Sequence, residues 1–74
     1  MAEYSVDHPD GCATAWGPTP ESMGRVLRGG GVWPPGIYPI AEYIDSFKHR
    51  QVRRWGVAVK HPHGSVELVP GGRA

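Results

Sequence analysis

Pro39-Ile40-Ala41-Glu42-Tyr43-Ile44-Asp45-Ser46-Phe47-Lys48-His49-Arg50 is the stretch whose reading decides the fold. Ile40, Tyr43, Ile44 and Phe47 recur at the i, i+3, i+4, i+7 spacing of one helical face. Glu42 and Asp45 come early and Lys48, His49 and Arg50 late, the order that complements a helix macrodipole. The spacing predicts a helix opening at Pro39 and ending near Arg50, since the stripe would next require Gln51. A strand is then expected from about Val52.

Upstream, Thr19 has the chemistry of an N-cap, Pro20 suits the first helical position and Gly29 is a terminator. Met23, Val26 and Leu27 form the apolar stripe of this first predicted helix, with Glu21 and Arg25 paired on its other side. Gly24 within it costs about 1 kcal/mol against alanine. The joining segment, Gly29 to Pro39, is too rich in glycine and proline for regular structure.

Flanking both predicted helices are two similar turns, Val6-Asp7-His8-Pro9-Asp10-Gly11 and Val59-Lys60-His61-Pro62-His63-Gly64. Each reads as a hairpin, with proline presetting φ and glycine supplying the positive-φ residue. Matching apolar faces selects a four-residue loop in both. Asp7 then pairs Cys12, Val6 pairs Ala13 and Tyr4 pairs Ala15; Lys60 pairs Ser65, Val59 pairs Val66 and Val57 pairs Leu68. The expected fold is a single α+β domain over residues 1–69, of order ββααββ. A small antiparallel sheet of two β-hairpins carries both helices on one face, and 70–74 is expected to be a disordered tail.

Composition narrows the function classes. A chain of 74 residues holds one core. Its 39% apolar and 20% charged content is that of a globular domain. No apolar run approaches the ~18 residues of a spanning helix, and the N-terminus lacks a signal peptide's regions, so a cytoplasmic location and no membrane partner are expected. Cys12 is the only cysteine, which excludes an internal disulfide. The net charge of +1 gives little global attraction to nucleic acid.

Four groups of residues invite a chemical reading. Lys48, Arg50, Arg53, Arg54 and Lys60, with His49 and Trp55, form a basic cluster that suits nucleic acid, although a helix end bearing solvated cations looks the same. His8, Cys12, His61 and His63 are ligand types for zinc, but His-x3-Cys and His-x-His match no common zinc pattern, so no metal is expected. Cys12 near His8 has no accompanying acid/base pair, and Arg28-Gly29-Gly30-Gly31 lacks the lysine of a phosphate loop, so neither catalysis nor a cofactor is expected. Among the aromatics, Ile37 and Tyr38 are expected to lie back over the sheet as a lid, with Trp33 open to either role. Trp16, which falls on the predicted polar face, Trp33 and Tyr38 are the candidate partner-binding residues.

The segments Glu3 to Gly11 and Trp55 to Val66 resemble the aromatic-x-Val and Pro-Asp-Gly hairpins of small uncharacterised proteins from actinobacterial phages. That resemblance covers the hairpins alone and implies a small accessory protein that binds a host or phage component. The expected function is a non-enzymatic protein-interaction or regulatory module, with nucleic-acid binding as the alternative. A protein is the expected partner, and open sheet edges make a homodimer through edge pairing a further expectation.

Overall fold

Strand alternation, not helical spacing, governs the segment Gly36–Tyr43. In the computed structural model, which describes residues 3–11, 13–29, 33–43 and 52–72, the elements are β1 (Glu3–Asp7), β2 (Thr14–Gly17), α1 (Pro20–Arg28), β3 (Gly36–Tyr43), β4 (Val52–Lys60) and β5 (Val66–Pro70). They form one five-stranded antiparallel sheet of order β2-β1-β3-β4-β5. The expected ββααββ order is therefore corrected. Pro39 to Tyr43, assigned above to a second helix, lie in the central strand, and α1 is the one helix among the described residues.

The physical reason lies in the two faces of β3. Tyr38, Ile40 and Glu42 are buried on one side, while Ile37, Pro39, Ala41 and Tyr43 alternate to the other. A strand with apolar residues on both faces shows no period of two, so the chance helical spacing of Ile40 and Tyr43 dominates the sequence. Pro39 is tolerated because β1 pairs β3 only from Ala41 to Tyr43, leaving β3 with β4 as its one neighbour at Pro39. Lys48, His49 and Arg50 of the expected helix end lie outside the described residues.

Both hairpins are present with altered registers. Gly11 and Gly64 take positive φ, 78° and 102°, and their amides bond the carbonyls of His8 and His61. In the first hairpin Val6 pairs Ala15 and Tyr4 pairs Gly17, two residues beyond the expected register. A shift of two preserves the faces. In the second, Lys60 pairs Val66 and Val59 pairs Glu67, a slip of one that exchanges them. Ala58, Lys60, Val66 and Leu68 consequently face the helix, and Val57, Val59 and Val69 face away.

α1 starts and stops where its caps dictate. Thr19 Oγ1 accepts from the Ser22 amide at 3.2 Å, Pro20 opens the helix, and the Gly29 amide closes it on the Val26 carbonyl. Met23 and Leu27 are wholly buried against Val6, Ile40, Tyr38 and Ala58, with Trp33 over the end of the layer. Burying each such side chain contributes roughly 1.5–3 kcal/mol. A bulge in β4 sits opposite Ile40 and Ala41: Gly56 pairs Ile40 and Arg54 pairs Ala41, leaving Trp55 as the extra residue. The bulge turns Arg53 to the helix-side face and Arg54 to the other.

Candidate functional site

One face of the sheet is covered by α1 and Trp33. The opposite face is made by residues that alternate away from the core: Trp16 on β2, Glu3, Ser5 and Asp7 on β1, Ile37, Pro39, Ala41 and Tyr43 on β3, and Val52 and Arg54 on β4. Trp16 is 48% exposed, Ile37 53% and Val52 54%, and these large hydrophobic residues all stand on this one face. Isolated exposed apolar residues are ordinary, so what distinguishes these three is that they share one face. A depression of about 290 Å³ lies on it, with Ser5, Asp7, Ala41, Tyr43 and Arg54 in its lining.

Trp16 and Tyr43 approach to 4.9 Å between ring centroids, inclined at 46°. β2 and β3 are not neighbours, so the two rings meet across β1. Ser5, the direct cross-strand partner of Trp16, is 5% exposed. Its small side chain leaves room for the rings above it. Val57 on the same face is covered from the other end, where Gly71 donates to the Trp55 carbonyl and Gly72 to that of Val69.

The charged groups of this open face are Glu3 and Asp7 on β1, Arg54 on β4 and Glu67 on β5, and the central β3 contributes only Ile37, Pro39, Ala41 and Tyr43. Asp7 accepts a bond from Thr14 Oγ1 at 2.7 Å. Arg54 makes no ion pair with a described residue, in contrast to Arg53, which holds Glu42.

That contrast sets the chemistry of the other face. Arg53 Nε donates to Glu42 Oε1 at 2.7 Å and the Tyr4 hydroxyl donates to Oε2 at 2.8 Å. The Arg53 bond, then the Tyr4 bond, favour the ionised carboxylate and hold Glu42 below the usual glutamate range. The bond to the same carboxylate, with burial and its charge, pushes the Tyr4 phenol up. Burial alone raises Tyr38, whose hydroxyl donates to the Pro34 carbonyl.

The candidate residues named from sequence separate accordingly. Tyr38 and Trp33 are buried, at 2% and 8% exposure, so of the three aromatic candidates only Trp16 reaches a surface. Ile37, expected to lie back over the sheet as part of the lid, is exposed. Lys60 is 7% exposed and donates to the Trp33 carbonyl at 2.5 Å, which removes it from the surface cluster. Arg53 and Arg54 point to opposite faces, and Lys48 and Arg50 lie outside the described residues. His8 rests on Trp33, with ring centroids 5.2 Å apart, while His61 and His63 stack on each other at 5.5 Å. Cys12 lies outside the described residues, and among those described no group of three or more His, Cys, Asp or Glu side chains is placed to hold a metal.

Sequence reasoning missed Ile37, Tyr43, Val52 and Arg54 as members of one face. The available signal was the odd-numbered apolar row Ile37, Pro39, Ala41, Tyr43, hidden by the equally apolar even-numbered positions. No helix among the described residues is long and apolar enough to cross a membrane. No family model, curated protein or solved structure matches the chain.

Proposed function

We propose that the chain is a non-enzymatic protein-interaction or regulatory module that binds its partner through the sheet face opposite α1. The observation that carries this reading is the gathering of Trp16, Ile37 and Val52 on that single face. Trp16 and Tyr43 already hold each other in place, so an aromatic anchor is ordered before binding and little side-chain entropy remains to be lost. A phage accessory role, as the hairpin resemblance implies, is the setting proposed for it. Nucleic acid is the competing partner class, and of its described residues Arg53 is tied to Glu42 and Lys60 is buried.

The test compares partner recovery by the wild-type chain, by Trp16→Arg and Ile37→Glu on the open face, and by Arg25→Ala on α1. Loss with both face variants and retention with Arg25→Ala supports the reading. Equal recovery by all of them removes it. Salt-sensitive retention of nucleic acid that depends on Arg53 and Arg54 would transfer the function to the competing class.

A further inference from the structure

We propose that β5, one edge of the sheet, pairs antiparallel with β5 of a second copy of this chain around a two-fold axis at Leu68. The proposal concerns the rim of the sheet and stands independently of the docking face opposite α1.

The β4–β5 ladder decides which backbone groups are left to pair. At one end the His61 amide donates to the Ser65 carbonyl at 2.9 Å, and at the other the Gly71 amide donates to the Trp55 carbonyl at 2.8 Å. Bonded and non-bonded pairs alternate in an antiparallel ladder, so Val59 with Glu67 and Val57 with Val69 are the bonded pairs between these ends. The amides and carbonyls of Val66 and Leu68, and the carbonyl of Pro70, therefore point away from β4, where no further strand of the described sheet follows. Pro70 has no N–H and sits where its own sheet needs none.

The side chains of this row are apolar. Val66 and Leu68 pack against the core layer beneath α1 yet stay half-buried at its rim. An added strand with apolar residues in the same row continues that layer, and this chain's own β5 is such a strand.

Charge and proline select the register. With the axis at Leu68, that residue exchanges amide–carbonyl bonds with the partner's Leu68, Val66 donates to the carbonyl of the partner's Pro70, and Glu67 stands across from the partner's Val69. An axis at Glu67 would place two carboxylates in a non-bonded pair, the closest approach a ladder offers. An axis at Val69 would set Pro70 opposite Leu68 and forfeit donors. An axis at Val66 would need Gly64 as an extended residue, and its φ of 102° excludes that. The other edge, β2, is shorter and ends at Gly17, just before the cap of α1. The contact is one strand long, well below the ~800 Å² per partner of a standard interface, so the dimer is weak and concentration-dependent.

Amide hydrogen exchange of the isotope-labelled chain, from about 10 μM to about 1 mM, tests the pairing. The Val66 and Leu68 amides are expected to slow by about fivefold or more across that range, while the Glu67 and Val69 amides, bonded within the chain, are protected throughout. In a Cys12→Ser background, Glu67→Cys mixed with Val69→Cys is expected to form the mixed disulfide about tenfold faster than either variant links to itself, because a non-bonded pair brings Cα atoms to roughly 4.5 Å. Circular dichroism checks that each variant is folded. Val66 and Leu68 amides that exchange at one rate at every concentration, or cysteine variants that cross-link without preference, overturn the proposal. Trp16→Arg and Ile37→Glu, on the open face, are expected to leave the β5 protection unchanged, so loss of edge pairing and loss of partner capture are separate results.

Discussion

Trp16 and Tyr43 lie on strands that are not neighbours, yet their ring centroids are 4.9 Å apart, because both lean across β1 over Ser5. The pair turns an exposed tryptophan and a half-buried tyrosine into a fixed surface feature. Enlarging Ser5 tests it. Ser5→Ile should lift the rings apart and destabilise the chain by about 1–3 kcal/mol through overpacking. Urea titration and near-ultraviolet circular dichroism read the two effects, and an unchanged aromatic signal would show that the rings do not depend on Ser5.

Acid and alkali should both act through the cluster of Tyr4, Glu42 and Arg53. Glu42 ionises more readily folded than unfolded, so its contribution is present above the ordinary glutamate range and is lost as pH falls through the lowered folded value. Tyr4 has the opposite sign. Its raised value means stability intact below the unfolded phenol range near pH 10 and lost as pH rises through the folded value. Denaturation midpoints across pH should show Glu42→Gln flattening the acid limb and Tyr4→Phe the alkaline limb. A pH profile that both substitutions leave unaltered contradicts this assignment.

Lys60 fastens the segment ahead of β3 by donating to the Trp33 carbonyl. Lys60→Ala leaves that carbonyl without its donor and a space beneath Trp33, at a cost of about 1–3 kcal/mol for the lost bond alone. Lys60→Arg should recover part of it. Tryptophan emission should shift to the red with Lys60→Ala, and an unshifted spectrum with unchanged stability would show the bond to be dispensable.

Two glycines should respond in opposite directions. A Cβ at Gly24 would lie 3.7 Å from Leu68 Cδ2, an ordinary contact, so Gly24→Ala should stabilise by about 1 kcal/mol through helix propensity. A Cβ at Gly56 would lie 2.2 Å from the Val69 carbonyl oxygen, so Gly56→Ala should separate β5 from β4. Thermal melting should rise for the first and fall sharply for the second. The reverse order would contradict the placement of β5.

What was legible in the sequence was local. Thr19, Pro20 and Gly29 bound α1 because capping chemistry is decided within one turn. Gly11 and Gly64 mark the hairpins because positive φ is a property of a single residue. What was not legible depends on distant partners. Tyr43 is a strand residue because β1 and β4 pair with β3 on either side, and its own neighbours spell a helix. Val57 and Val59 turn away from α1 because the second turn closes with the His61 amide on the Ser65 carbonyl, a register that pairs Lys60 with Val66 and points Ala58 and Lys60 to the helix side. Arg53 and Arg54 take opposite faces because neighbours in a strand alternate, and which of the two faces α1 is set by the bulge at Trp55, which no local signal announces. The open face went unread for the same reason, since Trp16, Ile37, Val52 and Arg54 are adjacent only after four strands have paired.

The face opposite α1 is proposed as the surface where this chain meets its partner, and amide and side-chain chemical shifts of the isotope-labelled chain, followed as its captured partner is added, read that surface residue by residue. Shifts are expected to centre on Trp16, Ile37, Ala41, Tyr43 and Val52, with α1 from Pro20 to Arg28 unmoved. Shifts centred on α1, or on Arg53 and the hairpin tips at His61 and His63, would contradict it.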